Sequence, residues 1–502
     1  MKHYFLAFAY CLLSQPSFSQ GISIDSTFSG DGVLETEITP NKQYYGSAIK
    51  PQPDGKILAC GHPISSPATK LSIVRYLSDG QIDSTFLFTG QISFQGSRCV
   101  IGLQEDGKIL CGFRTGLIRR LADGKIDSTF GTNGFVPHTP NYDVTALIIL
   151  PNGKIAVVGD RNDDPTLGYV VRVYHPNGTL DSSFSNDGIL TYKHGAGISY
   201  ILNAQAQTDG KILLAGDYYA TNGELKFTVL RLTPEGAFDQ TFGINGFVDD
   251  VLGGDNQVSG MAIQADGKIV VTGFVGFPKK LIVLRYLSNG TRDTSFGIDG
   301  LQNQVIDELA EGRDVLIRED GKILLLGRME DTQTNSNQIF LAQLLADGTL
   351  DTAFGNNGIF ISPVPTASFG PCSMFLTEGN KLVVGRNSSV SSNPLIITRF
   401  ILDLNVGILN PGSDIQQNLL IYPNPITDHF TLHFALQAPE RVSINLFDMS
   451  GKLVRRLAQD QFFDAGEHKE TFETRQELPS GNYALAISIE GKIVSSIQIL
   501  KK

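Results

Sequence analysis

An eight-residue pattern that returns seven times constrains this chain more than any other feature. One copy reads Asp351-Thr352-Ala353-Phe354-Gly355-Asn356-Asn357-Gly358; the others begin at Asp25, Asp83, Asp127, Asp181, Asp239 and Asp293. All read Asp-x-x-Phe, with a glycine four residues beyond the phenylalanine. A second marker, Asp-Gly-Lys, starts at Asp54, Asp106, Asp209, Asp266 and Asp320, with Asn152-Gly153-Lys154 as a variant and Glu378-Gly379-Asn380-Lys381 as a degraded copy. These second markers are 52, 46, 57, 57, 54 and 58 residues apart. A period of about fifty residues belongs to propellers or solenoids.

Within a repeat the texture is that of strands. Ser47 to Gln52 runs into Pro53-Asp54-Gly55, and Lys56-Ile57-Leu58-Ala59-Cys60-Gly61 follows as a short apolar strand. Asp-Gly between two such runs is a strong hairpin signal, because a tight turn needs positive φ. Leu71 to Tyr76 alternates, Ser78-Asp79-Gly80 makes another turn, and a fourth alternating segment follows each Asp-x-x-Phe, as in Gly188-Ile189-Leu190-Thr191. Helical periodicity is nearly absent. Four antiparallel strands repeated seven times predict a seven-bladed β-propeller over residues 20–405. The strand near Gly32 to Ile38 has no sheet of its own, and the last repeat has a third strand at Leu395 to Phe400 but no fourth. Pairing the two closes the ring and removes exposed edges.

The markers themselves read as structure. An Asp in this position bonds amides two residues on, Phe supplies buried area between units, and Gly permits a left-handed backbone. Arg75, Arg119, Arg231, Arg285 and Arg399 recur on the third strand, and each is expected to pair with an Asp-x-x-Phe aspartate. Gln343 breaks the pattern in repeat six, and Arg172 is offset by one in repeat three. The Asp-Ser-Thr-Phe-Gly-x-x-Gly and Asp-Gly-Lys-Ile-Leu alternation resembles the bacterial delta-60 repeat family over roughly residues 25 to 403. That resemblance implies repeat architecture and brings no activity or catalytic residue with it.

Residues 1–19 are expected to be a signal peptide, with Lys2 and His3 ahead of an apolar run from Tyr4 to Leu13 and small residues at Ser17-Phe18-Ser19. That run is shorter than a bilayer span, and no transmembrane segment is expected elsewhere. Cys60, Cys99, Cys111 and Cys372 remain, too scattered for a disulfide framework. Small buried residues are the favoured reading, with a Cys99–Cys111 bridge left open. A Pro/Gly/polar stretch at 406–418 reads as a linker, and 419–502 as a small Ig-like β-sandwich of short strands. With Tyr422-Pro423-Asn424-Pro425 at its start, Leu446 to Lys452 in its middle, Leu478 to Tyr483 later and Lys501-Lys502 at its end, this tail resembles the type IX secretion C-terminal sorting domain. The resemblance singles out Tyr422, Pro423, Asn424, Pro425, Gly451, Lys452, Gly481, Tyr483, Lys501 and Lys502. It implies export to the medium or the outer-membrane surface of a Gram-negative bacterium, with the type IX machinery as a partner.

A net charge of -11 and the lack of any Lys/Arg cluster argue against nucleic acid or an anionic membrane as partners. The chain has no phosphate loop, no His-Glu-x-x-His and no Gly-x-Ser-x-Gly. No catalytic or cofactor residue is therefore nominated, and a non-enzymatic chain is expected. The densest carboxylate run, Asp160, Asn162, Asp163 and Asp164, is a weak candidate for calcium; its spacing is not that of an EF-hand, and Arg161 opposes it. Topology places the ligand. The first-to-second and third-to-fourth connections carry the uniform Asp-Gly turns and share one end of the sheets. The second-to-third and inter-sheet connections vary and share the other end, which is how a scaffold presents a site. Tyr218, Tyr219, Phe274, Phe277, Arg328 and Glu330 form the candidate ligand face there, suited to a glycan or a protein. The expected function is a monomeric binding or adhesion module, with a polysaccharide hydrolase or lyase and a structural matrix component as alternatives.

Overall fold

A computed structural model of the chain describes residues 21–36, 44–63, 69–87, 92–94, 99–139, 141–160, 168–194, 199–303, 305–306, 309–331, 336–366, 373–387, 395–402, 415–422, 426, 429–436, 438–448, 453–473, 478–479, 481–489 and 492–501. The expected signal peptide and Cys372 lie outside these residues. The described residues form strands and no helix. They divide into two compact units, 1–402 and 403–502.

Among the described residues the first unit holds seven antiparallel sheets, spanning 44–94, 99–137, 143–192, 199–250, 256–302, 310–366 and 373–402, numbered one to seven below. Six are four-stranded meanders; the seventh takes three strands from its own segment and two from the start of the chain. The expected closing pair is present, with Val33 opposite Thr398 and Thr36 opposite Leu395. Sequence pattern did not reveal the strand Ile22–Ile24, which extends the same edge by pairing with Leu402 to Phe400. Each sheet shares a buried core with the next. Leu213, Phe227 and Val229 of sheet four pack with Met261, Ile269 and Val271 of sheet five. Val383, Leu395 and Ile397 of sheet seven pack with Ile49, Ile57 and Tyr76 of sheet one, around Phe28.

The recurrent marker is a latch between neighbouring sheets. Asp293 Oδ1 accepts the Ser295 backbone N–H at 3.2 Å and its hydroxyl at 2.6 Å, while Oδ2 accepts Arg285 Nε at 2.8 Å. The guanidinium lies over the Phe296 ring, 4.5 Å from its centroid, and Nη1 donates to the Ala346 carbonyl of sheet six. The same pair forms at 2.8 Å for Arg75–Asp83, Arg119–Asp127 and Arg231–Asp239, and at 2.7 Å for Arg399–Asp25. In sheet six, Gln343 Nε2 donates to Asp351 at 2.7 Å and Lys322 supplies the charge at 2.8 Å. In sheet three, Val173 holds the register position that Arg231 holds in sheet four. Side chains alternate along a strand, so the one-residue offset turns Arg172 to the other face, where it donates to the Thr139 carbonyl at 2.8 Å. Lys154 takes its place on Asp181 at 2.5 Å.

The phenylalanine completes the latch. Phe242 of sheet four lies against Gly290 in the turn of sheet five, where a Cβ would stand 3.0 Å from its ring. Just past six of the seven phenylalanines, the N–H of Ser29, Leu87, Gly131, Ser185, Gly243 or Gly297 donates to a turn carbonyl of the following sheet at 2.7–3.0 Å. On the second strand a different glycine is required by close approach. The first strand of sheet four bulges between Ile201 and Asn203, and a Cβ on Gly216 would stand 1.8 Å from the Tyr200 carbonyl oxygen. Gly216→Ala is expected to cost about 1–3 kcal/mol by overpacking, read as a lower urea midpoint at unchanged slope.

These aspartates set the acid response. Burial raises the Asp181 carboxyl, but hydrogen bonds from Lys154 and Ser183 outweigh it and hold the group at about 2. Asp25, Asp127 and Asp293 are lowered in the same way. An unfolded Asp titrates near about 3.9, so below that value the unfolded chain takes up more protons and stability falls. Urea midpoints are expected to drop steeply below about pH 4 and to be insensitive to these groups above about pH 5. A midpoint as high at pH 3 as at pH 6 would contradict the latch chemistry.

The second unit has a three-stranded sheet, Ile415–Tyr422, His429–Leu436 and Gly466–Glu473, and a four-stranded sheet, Leu453–Phe463, Glu440–Asp448, Gly481–Ile489 and Lys492–Lys501. Phe430, Leu432 and Phe434 from the first share a core with Val442, Ile444, Leu446, Leu485 and Ile487 from the second. Its first strand begins at Ile415, inside the stretch expected to be linker; the Gln416-Gln417-Asn418 run masked the strand. Cys60, Cys99 and Cys111 are free and buried, so the bridge left open from the sequence is not formed.

Candidate functional site

The expected ligand face does not survive as one exposed patch. Tyr219 and Phe277 are exposed, at 39% and 92%, but Tyr218 and Phe274 are buried. Adjacent residues of a strand point to opposite faces, so Tyr218 turns inward where Tyr219 turns out. Phe274 lies beneath Lys279, whose Nζ is 4.2 Å from the ring centroid. Arg328 is engaged in an ion pair, and Glu330 is exposed.

Two clusters of polar side chains occupy the end of the sheets where the variable connections lie. In the first, Asp249 on the fourth strand of sheet four accepts three donors. Tyr218 OH reaches it at 2.9 Å, Thr228 Oγ1 at 2.8 Å and His194 Nε2 at 3.1 Å, the last from just beyond the fourth strand of sheet three. His194 stacks on Phe247 at 4.4 Å and meets Tyr218 edge-on at 4.0 Å. Burial raises the Asp249 carboxyl, but these donors, His194 foremost, hold it below the usual range. Burial and Asp249 together push the Tyr218 phenol well up.

The second cluster surrounds Glu311 at the start of sheet six, whose side chain is 3% exposed. Its Oε2 accepts Lys279 Nζ at 2.6 Å, and its Oε1 accepts Arg328 Nη2 at 2.5 Å as well as Arg313 Nη2. Lys279 belongs to the second-to-third connection of sheet five, and Arg313 is the bulged residue of its strand. Burial raises the Glu311 carboxyl, but Arg313, Lys279 and Arg328 overcome that and keep it low.

Sequence reading missed Asp249, Thr228, Lys279, Glu311 and Arg313. Apart from Glu311 and Arg313, two residues apart on one strand, they are far apart in the sequence and follow no motif spacing, and Lys279-Lys280 resembles an isolated surface pair. Of the other histidines, His138 is buried and stacks on Tyr142 at 4.5 Å. The calcium candidate is only partly described. Asp160 Oδ1 accepts the Ile201 N–H at 2.9 Å, and Asn162, Asp163 and Asp164 lie outside the described residues. No group of metal-ligating side chains occurs among the described residues. In the tail, Tyr483 OH donates to the Pro479 carbonyl at 2.7 Å, Gly481 opens a strand, and Lys501 ends one. Tyr422 closes the first strand; Pro423, Asn424, Pro425, Gly451, Lys452 and Lys502 are outside the described residues.

These features define an all-β chain of propeller-type repeats followed by a separate sorting tail. Residues 420–502 match the family described as the secretion system C-terminal sorting domain. Segments 52–86, 150–184, 207–242, 264–296 and 318–354 match the family described as domain of unknown function (DUF5122) β-propeller. The sheets without a match are sheet two, whose second and third strands are joined by Arg114-Thr115 alone, and sheet seven, assembled from both ends of the unit. No curated protein sequence matches the chain. Among solved structures it is similar to a PL25 ulvan lyase bound to -[GlcA(1-4)Rha3S]-, at 12% identity over 76% of this chain and 93% of that one, TM-score 0.43. It is also similar to Pyrococcus horikoshii acylaminoacyl peptidase, at 10% identity over 80% and 60%, TM-score 0.40, and to regucalcin from Agrobacterium tumefaciens, at 14% over 60% and 90%, TM-score 0.31. Likeness at this level carries nothing about what the chain binds. The sorting tail marks the chain for export, and no helix is long and apolar enough to cross a membrane among the described residues.

Proposed function

We propose that the first unit is a closed seven-bladed propeller, that the tail is an Ig-like sandwich read by the type IX machinery, and that the exported chain binds a glycan or protein at the cell surface or in the medium. The observation that carries this reading is the division of chemistry between the two ends of the sheets. One end repeats the same turns and latches, while the other gathers chemically individual groups, including exposed Tyr219 and Phe277. The test is display of the full mature chain on glycan and surface-protein arrays. Saturable capture of one ligand class supports binding; no capture at all overturns it in favour of a matrix role.

A second reading, an enzyme acting on polysaccharide, is favoured by His194 held against Asp249 with Tyr218 alongside, since a carboxylate-oriented imidazole is a general-base arrangement. New reducing ends or unsaturated uronates released from a polysaccharide, and lost in His194→Gln, would establish it. For export, removal of residues 419–502 is expected to leave the protein in the periplasm, checked by fractionation and surface labelling. Normal surface appearance of the truncated chain would refute the sorting role.

A further inference from the structure

Three thiols meet between sheets one and two. Cys60 on the second strand of sheet one, and Cys99 and Cys111 on the first two strands of sheet two, belong to a single buried core. Each is at most 1% exposed. The Cys60 thiol donates to the Cys99 carbonyl oxygen at 3.7 Å, across the gap between the sheets. Burial pushes the Cys99 thiol well above its ordinary range, and the Cys111 and Cys60 thiols beside it add to the rise. A thiol so raised carries little thiolate, the form that attacks disulfides and binds metals.

The sorting tail marks the chain for export, and disulfides form and persist outside the cytoplasm. Geometry decides between the partners. Within sheet two, Cys99 stands opposite Phe113 and Cys111 opposite Ile101, so these two cysteines are diagonal neighbours. Diagonal Cβ atoms lie roughly 7 Å apart, whereas a disulfide needs about 4 Å. Closing that pair would mean dragging one strand along the other against its ladder. Cys60 approaches Cys99 from the facing sheet instead, where no ladder fixes the separation, and its sulfur already lies against the Cys99 backbone. Turning side chains between staggered rotamers brings the two sulfurs together without moving a strand.

We infer that Cys60 and Cys99 of the exported chain form a disulfide that staples sheet one to sheet two, while Cys111 stays a thiol beside it. The structure describes the reduced form. The reaction is thiol–disulfide exchange. One thiolate attacks an incoming disulfide, carried by a periplasmic dithiol–disulfide exchange protein or supplied in vitro as oxidised glutathione. The second thiolate then displaces the carrier. The Sγ–Sγ bond forms, the incoming S–S bond breaks, and two electrons and two protons leave on the carrier as two thiols. Because the folded thiols are buried, exchange takes place before the two sheets pack. The bond joins residues 39 positions apart and restricts the unfolded chain accordingly. It is independent of what the chain binds.

The test is a thiol map of the full chain recovered from the medium or the cell surface. Free thiols are blocked with iodoacetamide in denaturant, and the protein is digested with trypsin without reduction. Lys70, Arg98 and Lys108 stand between the three cysteines, so each falls on its own peptide. The expected result is a linked pair of Cys60 and Cys99 peptides, separated by dithiothreitol, with the Cys111 peptide blocked. Dithiothreitol is expected to lower the melting temperature by about 5 °C; Cys60→Ala should lose that response and Cys111→Ala keep it. Blocked peptides for all three cysteines overturn the inference, as does a link from Cys99 to Cys111 or from either partner to Cys372. A melting temperature that dithiothreitol shifts equally in the natural chain and in Cys60→Ala also overturns it. Should Cys60→Ala fail to fold, the map of the natural chain still decides.

Discussion

Arg285→Ala is expected to destabilise the first unit by about 3–5 kcal/mol, because it leaves Asp293 buried without its cation. Both side chains are nearly enclosed, at 4% and 6% exposure, so water cannot take the place of the lost partner. The substitution also removes the cap over Phe296 and the donor to the Ala346 carbonyl, which ties sheet five to sheet six. Asp293→Asn alone should cost less, since its amide oxygen can still accept from Ser295. The two changes together should fall short of the sum of the separate losses by more than about 0.5 kcal/mol. Urea titrations of the four proteins provide the cycle; fully additive losses would exclude direct pairing. Arg285→Gln is the informative third variant. Sheet six carries glutamine at this position naturally, and there Lys322 restores the charge at 2.8 Å. In sheet five Lys268 stands 3.7 Å from Asp293, so Arg285→Gln should recover part of what Arg285→Ala loses.

The second large effect is expected at the contact between rings and turns. Phe242 is fully buried and lies against Gly290 of the next sheet. Phe242→Ala should cost about 3–5 kcal/mol through lost burial and the cavity left behind. Gly290 has a φ of +87°, and a Cβ there would stand 2.8 Å from Val248 Cγ2 and 2.9 Å from the Gly243 nitrogen. Gly290→Ala therefore faces both backbone strain and overlap. The two substitutions combined should be less damaging than their sum, because the smaller residue at 242 relieves one of the three overlaps. Thermal melts of the single and double variants measure this, and independence would mean that ring and turn do not meet.

How far the sequence announces the architecture differs from element to element. The Asp-x-x-Phe copies carry their own turn chemistry, so strand number, the closing pair and the Arg–Asp partners are readable from spacing alone. Ile22–Ile24 was hidden because three residues are too few to show alternation, and the strand beginning at Ile415 because its polar residues look like linker. The site is less legible for a physical reason. Alternation determines that Tyr218 and Tyr219 part company, but which of them is buried depends on sheet four's neighbour. Lys279, Glu311, Arg313 and Arg328 are scattered over fifty positions of sequence and acquire meaning only when two sheets stand side by side. Gln343 shows the opposite limit: the broken pattern was visible, but not that Lys322 would repair it.

The sealing of sheet seven by the first residues of the unit has a consequence for how the molecule matures. Asp25 and Arg399 meet across 374 positions, and joining ends so far apart costs of order 5 kcal/mol in chain entropy. A polypeptide threaded out from its amino end would deliver Ile22–Ile24 and Val33–Thr36 first and their partner Leu395–Leu402 last. Six sheets can stack in the meantime, but a wet seam stays open along Ile49, Ile57 and Val383 until the final segment arrives. Clipping either end of the first unit therefore does the same damage, and the newly emerged molecule is most vulnerable to proteases and to mispairing just before that unit is finished.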